Sequence, residues 1–359
     1  MDNKEKTIET EFSEHFPYDS KNNFNWEIIS VSKDDLNKRC VYCGINKKDK
    51  NDCIYVKQFK LFPNQDCDNK QILNEIYFLT LLQNGNYFVK LNDILINEDC
   101  KNIFLIFLGN TVSLNKLISY KEIDYLSNND LIKYIIYQIA CGLYFLHYNG
   151  IIHNDIKPSN ILIDENGGIE ICDFGSVGYK GENVNSYTRY YAPPELLNGN
   201  YKRDEKSDTW ALGIIMIELY LKKNLYFKCN DEEKNNENQL KLILSKFGIN
   251  KIMSKEEIDQ LIQDENQYKF NVEEIENIIN DKDAIDLIKN LIVLNPQKRF
   301  NAEQVLNSKY LIDYKQEEPL DLKNLENPIN YYDLLNEYND ENKFMEFLGL
   351  LRSKLNKRK

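Results

Sequence analysis

Long uninterrupted apolar runs are missing from this chain of 359 residues. The strongest candidates, "ALGIIMIELYL" and "YIIYQIACGLYFL", are too short or too interrupted by polar residues to cross a bilayer, so we expect no membrane span. The N-terminus "MDNKEKTIETEFSEHF" is acidic, whereas a signal peptide is basic and then apolar. We therefore expect an intracellular, cytoplasmic protein, with a nuclear location left open.

An excess of basic residues is also missing. The chain has 45 Lys and Arg against 57 Asp and Glu, which gives a net charge of −12. Proteins that bind nucleic acid place clustered Lys and Arg against the phosphates. The only basic cluster is "KLNKRK" at the end of the chain, so we expect no nucleic-acid partner.

Metal-binding patterns of cysteine and histidine are absent too. Of the eight cysteines only Cys40 and Cys43 form a close pair, in "CVYC", and no second pair follows at the spacing of a zinc site. Residues three apart in a strand point to opposite faces. We expect ordinary half-buried thiols and no disulfides.

The sequence does contain two regions of different texture. After a polar segment over residues 1–25, predicted to be a flexible arm, four short β-rich runs follow: "WEIIS", "RCVYCGI", "CIYVKQF" and "KNIFLIFL". One helical pattern, "NKQILNEIYFLTLLQNG", interrupts them and is predicted to stop at Gly85.

Long helical patterns dominate after Asn110, namely "NDLIKYIIYQIACGLYFLHYNG", "SDTWALGIIMIELYLKK", "MSKEEIDQLIQ" and "DAIDLIKNLIVLN". This order predicts an α+β protein with a small β-rich lobe, a short hinge and a larger helical lobe, and clefts between lobes are common ligand sites. The segment 312–359 carries a helical apolar stripe, which could pack on the domain or on a regulatory partner.

The polar octet "HNDIKPSN", residues 153–160, contains the first candidate catalytic residues. Counting from Asp155, Asn160 follows after five residues and Asp173 of "CDFGS" after eighteen. The intervening "ILIDENGGIEIC" is predicted to be a hairpin that brings the three side chains together. Two carboxylates and an amide oxygen suit Mg²⁺, with one carboxylate left to orient a hydroxyl nucleophile.

At these residues the sequence resembles the protein kinase family, whose catalytic loop and Asp-Phe-Gly motif have this spacing. The resemblance covers about residues 26–311 and includes "TRYYAPPELL", "SDTWALG" and "LNPQKRF". It implies the two-lobed kinase fold, with an N-lobe over 26–108 and a C-lobe over 111–311. It also implies ATP and Mg²⁺ as cofactors.

The resemblance assigns expected roles. Lys57 would hold the α- and β-phosphates with Glu75 as its ion-pair partner. Asp155 would be the catalytic base and Lys157 would steady the transferred phosphoryl group. Asn160 and Asp173 would bind magnesium. The nucleotide would also contact Val41, the gatekeeper Phe107, and Leu108 and Asn110 of the hinge.

Further positions are expected to shape the helical lobe and its substrate preference. Glu195 would pair with Arg299, and Asp208 would hold the catalytic-loop backbone. His153 would pack beside Phe174 and Leu79. Lys157 and Thr188 are choices of the serine/threonine type, so we expect Ser or Thr in protein substrates.

Three departures from the family pattern stand out. The phosphate loop "SVSKDDLNKRC" has no glycine, with Asp34, Leu36 and Arg39 where glycines belong. Tyr55 occupies an alanine position that lies against adenine. Asn154 replaces the arginine that gathers a phosphate on the activation loop, so we expect activity that does not depend on phosphorylation of Ser176, Ser186 or Tyr187.

Two functions from different classes remain open. The complete set Lys57, Glu75, Asp155, Asn160 and Asp173 favours an active kinase, while the glycine-free loop and Tyr55 favour a pseudokinase scaffold. A small-molecule phosphotransferase is disfavoured, because "APPE" and Thr188 build a platform for a peptide.

Overall fold

The fold is described from a computed structural model of the chain. The structure describes residues 26–33, 39–49, 52–60, 66–96, 102–120, 125–229, 235–251, 253–264 and 268–314. The predicted arm over 1–25, the glycine-free positions 34–38 and the C-terminal extension beyond Tyr314 lie outside the described residues. The chain divides into two compact units: the first includes the residues before Gly85 together with Val89–Thr111, and the second includes Gly85–Phe88 and the chain from Val112 to Leu325.

Five strands build the sheet of the first unit: β1 Trp26–Lys33, β2 Arg39–Asn46, β3 Cys53–Lys60, β4 Asp93–Ile96 and β5 Asn102–Leu108. They lie antiparallel in the order β1-β2-β3-β5-β4. The four runs that the sequence predicts as strands are confirmed. Strand β4 was not predicted from the sequence, because its four residues, "DILI", are too few to show a clear alternation of apolar and polar side chains.

Alternation along β3 separates the two faces of this sheet. Ile54 and Val56 are buried in a core with Tyr42, Phe104 and Ile106, while Tyr55 and Lys57 point to the opposite face. Helix α1, Asp66–Leu81, buries an apolar stripe made of Ile72, Leu73, Ile76 and Leu79. The helix ends at Leu81, before the predicted stop at Gly85.

The second unit is mainly helical. Its helices are α2 Leu114–Ser119, α3 Asn129–Tyr148, α4 Pro194–Leu197, α5 Glu205–Leu221, α6 Asn236–Ser245, α7 Lys255–Gln263, α8 Glu273–Glu276, α9 Lys282–Leu291 and α10 Ala302–Leu306. The four long patterns predicted from the sequence are confirmed as α3, α5, α7 and α9. Helix α5 is apolar on all sides and is buried along most of its length, so it forms the centre of this unit.

Short strands connect the helices: β6 Thr111–Ser113, β7 Ile151–Ile152, β8 Ile161–Asp164, β9 Ile169–Ile171 and β10 Gly178–Tyr179. Strands β8 and β9 form the predicted antiparallel hairpin. Its turn is closed by Asp164, whose Oδ1 accepts hydrogen bonds from the backbone N–H groups of Asn166 and Gly168 at 2.8 and 2.9 Å. Gly167 has φ +82°, a conformation that favours glycine.

Within the described ranges, no helix is both long and apolar enough to cross a membrane.

Candidate active site

The first unit contains the predicted ion pair between Lys57 and Glu75. Lys57 Nζ lies 2.6 Å from Glu75 Oε1, and the two side chains are 13% and 3% exposed. Lys57 comes from β3 and Glu75 from α1, so the pair joins the helix to one face of the sheet. A buried ion pair of this kind needs close geometry to offset the loss of hydration. The predicted pairing is confirmed.

The residues predicted to surround a nucleotide in this unit lie on or beside the same strands. Val41 of β2 is directly opposite Lys57, and Phe107 of β5 is opposite Tyr55. Phe107 is buried, whereas Leu108 is half exposed. Asn110 accepts a hydrogen bond from the Cys53 thiol, with an Sγ–Oδ1 distance of 3.6 Å. Their proposed contacts with ATP stay a prediction.

In the second unit, the Asp155 carboxylate is held on both oxygens. Lys157 Nζ lies 2.6 Å from Oδ2, and Asn160 Nδ2 donates to the same oxygen at 3.2 Å. The backbone N–H of Thr188 donates to Oδ1 at 3.0 Å. Lys157 Nζ also donates to Thr188 Oγ1 at 2.8 Å. Lys157 and Asn160 of the loop and Thr188 of the later segment thus all donate to the Asp155 carboxylate.

The backbone of this loop is fixed by Asp208 of α5. Its Oδ2 and Oδ1 accept hydrogen bonds from the N–H groups of His153 and Asn154 at 2.9 and 2.8 Å, and His147 Nε2 lies 2.9 Å from Oδ2. Burial would raise the pKa of Asp208, but the hydrogen bond and charge of His147 outweigh it and the pKa is lowered. The predicted tie between Asp208 and the loop is confirmed.

His153 is a packing residue. It is fully buried, and its ring lies 5.5 Å from that of Phe174. Burial lowers its pKa, against the attraction of nearby carboxylates, so the imidazole is held in its neutral form. His153 Nε2 lies 3.2 Å from the carbonyl oxygen of Cys172. The expected contact with Phe174 is confirmed.

The hairpin brings Asp173 back to Asn160, as predicted. The N–H of Cys172 donates to the carbonyl of Asn160 at 2.9 Å, so the next residue, Asp173, begins beside this loop. Asp173 has φ 66°, in the left-handed region, where a short polar side chain is tolerated better than a bulky one. Strain of this kind is common at functional sites.

These residues fit a magnesium ion. Asn160 Nδ2 donates to the carbonyl oxygen and to the carboxylate of Asp155, which leaves the amide oxygen Oδ1 as the atom of this side chain that could bind a metal. Together with the Asp173 carboxylate this oxygen is a hard ligand of the kind Mg²⁺ prefers. Among the described residues no cluster of three or more His, Cys, Asp or Glu could hold a metal. Asn160 and Asp173 would offer two side-chain ligands, so Mg²⁺ here would take phosphate or water oxygens as its remaining ligands.

Glu195 and Arg299 form the predicted brace. Arg299 Nη1 and Nη2 donate to the two Glu195 oxygens at 2.8 and 3.1 Å. The guanidinium also donates to the carbonyls of Lys206 and Val293 and lies 4.9 Å from the centre of the Trp210 ring. Since Arg299 is fully enclosed, this pair stabilises the helical unit and does no chemistry.

Sequence reasoning missed two features of this unit. The first is the Thr188 N–H on Asp155, because a backbone contact has no residue signature. The second is Glu218, a fully buried carboxylate that accepts hydrogen bonds from the Tyr191 hydroxyl at 3.0 Å and the Tyr226 N–H at 2.9 Å. An acid inside the apolar run "ALGIIMIELYL" is a signal that could have found it.

Asn154 has a conformation that suits its residue type. Its φ is 62°, and asparagine is enriched in this left-handed region. Its Oδ1 accepts a hydrogen bond from the Ser207 hydroxyl at 3.3 Å. The hydroxyls of Ser176 and Ser186 lie 2.6 Å apart, and the Tyr187 hydroxyl accepts from Asn236 at 2.7 Å.

Comparison with known proteins gives the family. The model of the protein kinase domain matches residues 39–311. Mitogen-activated protein kinase HOG1 of Exserohilum turcicum is 30% identical over 283 residues, which cover 76% of this chain and 82% of that protein. The hog1 kinase of Aspergillus clavatus is 31% identical over 257 residues, or 68% of this chain and 66% of its own length. The sakA kinase of Aspergillus fumigatus is 30% identical with the same coverage of both chains.

The chain belongs to the eukaryotic protein kinase family of the serine/threonine type. The predicted α+β class and the kinase fold are thereby confirmed.

Proposed function

We propose that this protein is an active serine/threonine protein kinase, which transfers the γ-phosphoryl group of ATP to Ser or Thr of protein substrates. The observation that carries the proposal is the Asp155 network, in which Lys157, Asn160 and Thr188 hold one carboxylate. A scaffold makes no demand on this arrangement. The relatives named above are described as kinases, which supports the same activity.

The chain's own residues would position groups and neutralise charge. Asp155 would accept the proton of the substrate hydroxyl as general base, and Lys157, bound to it at 2.6 Å, would balance the charge of the phosphoryl group. Thr188, bound to both residues, would set the distance between the later segment and the base.

Bound Mg²⁺ and ATP would supply the phosphoryl group and the charge that offsets its oxygens. Asn160 and Asp173 would hold the metal. Lys57, fixed by Glu75, would hold the α- and β-phosphates, and Val41, Phe107, Leu108 and Asn110 would contact the nucleoside.

Activity independent of activation-loop phosphorylation is part of the proposal. With Asn154 in place of arginine, the loop has no cation directly before Asp155 to attract a phosphate. The hydroxyls of Ser176, Ser186 and Tyr187 already have hydrogen-bond partners within the unit. The Thr188 contacts would then form without a modification.

The proposed kinase domain extends over residues 26–311, with an N-lobe over 26–108 and a C-lobe over 111–311. We place the protein in the cytoplasm, with a nuclear location left open, and propose protein substrates as its partners. A regulatory partner would bind through the C-terminal extension over 312–359.

The test is ATP turnover by the purified chain on a generic peptide or on itself, compared with Asp155→Asn. Asp286→Asn is the matched control, because Asp286 is an exposed residue of α9. We expect loss of at least a hundredfold in kcat for Asp155→Asn, a typical size for a general base, and none for the control. Equal rates for all three proteins would refute the proposal.

The alternative is a pseudokinase scaffold with weak or no turnover. It is favoured by Tyr55, whose side chain occupies the face that carries Lys57. Absence of turnover together with absence of thermal stabilisation by ATP and Mg²⁺ would support this alternative.

A further inference from the structure

Tyr55 lies on the sheet face where the proposed function places the nucleotide base. It precedes Lys57 by two residues on β3, so both side chains point to the same face of the sheet. Across the ladder Tyr55 is opposite Cys43 on β2 and Phe107 on β5. Tyr55 is therefore beside the end of β5, which continues into residues 109–111.

The ring is anchored at both ends. Its backbone is part of β3, and its hydroxyl donates to the carbonyl oxygen of Thr111 at 2.6 Å, at the short end of the range for an O–H···O bond. Two further contacts join the same pair of segments: the N–H of Gly109 donates to the Cys53 carbonyl at 3.2 Å, and the Cys53 thiol lies 3.6 Å from Asn110 Oδ1. The side chain thus crosses from β3 to the segment predicted to be the hinge.

The hydroxyl keeps its proton at neutral pH. Burial raises the pKa of Tyr55 to about 12, and the nearby thiols of Cys43 and Cys53 act in the same direction. The Tyr55–Thr111 hydrogen bond is therefore available throughout the physiological range.

We propose that Tyr55 is a latch that covers the base-binding part of this face and sets the affinity for ATP. The inference rests on the proposed kinase function. A purine base can lie on β3 only after the ring has rotated away from Thr111, so ATP binds the unlatched form. The apparent Kd is the intrinsic Kd divided by the unlatched fraction, so an unlatched fraction of about one in ten weakens binding about tenfold.

Calorimetric titration of the full chain separates the latch from general effects. The titrants are ATP with Mg²⁺, and tripolyphosphate with Mg²⁺, which has the phosphates but no base. The variants are Tyr55→Ala, which removes the ring, and Tyr55→Phe, which keeps the ring and removes the hydrogen bond. Cys53→Ala is the control, because it removes the neighbouring thiol contact and leaves the ring in place.

We expect Tyr55→Ala to bind ATP about tenfold more tightly than the original protein and Tyr55→Phe about threefold more tightly, with tripolyphosphate binding unchanged in both. Cys53→Ala should bind both ligands like the original protein. Unchanged or weaker ATP binding by Tyr55→Phe and Tyr55→Ala overturns the latch, as does an equal gain for tripolyphosphate. If Tyr55→Ala does not fold, Tyr55→Phe decides by the same criterion.

The outcomes for the latch and for the kinase activity are distinguishable. Tighter ATP binding without phosphoryl transfer in any variant would refute the proposed function and leave the latch standing. Transfer that is lost in Asp155→Asn, with no change of ATP affinity in either Tyr55 variant, would refute the latch and leave the function standing.

Discussion

Glu218 should make the stability of the helical unit fall as the pH rises towards neutrality. Its carboxylate is fully buried in α5 and accepts hydrogen bonds from the Tyr191 hydroxyl and the Tyr226 N–H, and the backbone of Leu225 also acts on its pKa. Burial, opposed in part by these hydrogen bonds, raises its pKa from 4.5 to about 7. The folded state therefore keeps a proton that the unfolded chain has already released.

The sign and size follow from proton linkage. Below pH 4.5 the group is protonated in both states and the pH has no effect through it. Between pH 4.5 and about 7 the folded state binds more protons, so the free energy of unfolding decreases as the pH rises. Above that range the decrease in the free energy of unfolding keeps its full size. It is on the order of 3 kcal/mol, because each unit of difference in pKa between the two states corresponds to about 1.4 kcal/mol.

Glu218→Gln removes the charge and keeps the shape. The amide oxygen can still accept from the Tyr226 N–H, and its NH₂ can donate to the Tyr191 oxygen. We expect the variant to be more stable than the original protein by about 2 kcal/mol at pH 8, because part of the 3 kcal/mol is lost to imperfect hydrogen bonding. Near pH 4.5 the carboxyl of the folded protein is protonated, so only the hydrogen-bonding cost remains and the variant should be less stable by about 1 kcal/mol.

Urea unfolding between pH 4.5 and 8 measures this difference. Trp210 is a buried residue of α5, the helix that carries Glu218, and in a Trp26→Phe background it is the single tryptophan that reports unfolding. Exposed Glu165 supplies the matched control, Glu165→Gln. A difference between Glu218→Gln and the parent that stays constant across this pH range would refute the reasoning.

Two further predictions concern the bracing residues. Arg299→Met should destabilise the helical unit by about 3–5 kcal/mol in urea unfolding, because it leaves Glu195 without its buried partner. Arg299→Lys should destabilise the unit less. A loss of stability below about 1 kcal/mol for Arg299→Met would contradict the prediction. Asp208→Asn should lower stability at pH 7 by about 2 kcal/mol and reduce phosphoryl transfer, because the amide cannot accept from all three donors around it. Since the pKa of Asp208 is lowered, its stabilisation is present above pH 3.8 and is lost as the pH falls through the lowered value. The unfolding free energies of the two proteins should therefore become similar in acid. A difference in unfolding free energy that is unchanged at pH 2 would count against the argument.

Long apolar helical patterns were predictable from the sequence, and short elements were not. Helices α3 and α5 follow from long apolar patterns, and the turn at Gly167 follows from its residue type. Strand β4 has four residues and gives no such signal, so its pairing with β5 comes from the sheet itself. The end of α1 at Leu81 is four residues before the glycine that predicts it, since local packing ends a helix as readily as a residue type does.

The sequence by itself determined which groups are available for chemistry. The spacing from Asp155 to Asn160 and Asp173, and the lysine inside the apolar run of β3, carry the family and the proposed roles without any coordinates. Residue order and residue type are fixed by the covalent chain, so motifs of this kind are recognised from the sequence alone.

Tertiary structure alone decided how those groups are held. The Thr188 N–H reaches Asp155 across 33 residues, and Tyr55 reaches the Thr111 carbonyl across 56. Both contacts use backbone atoms, which every residue possesses, so no sequence pattern marks them. Burial likewise decides the protonation of Glu218, because the loss of water around a carboxylate depends on the residues that enclose it and not on its neighbours in the chain.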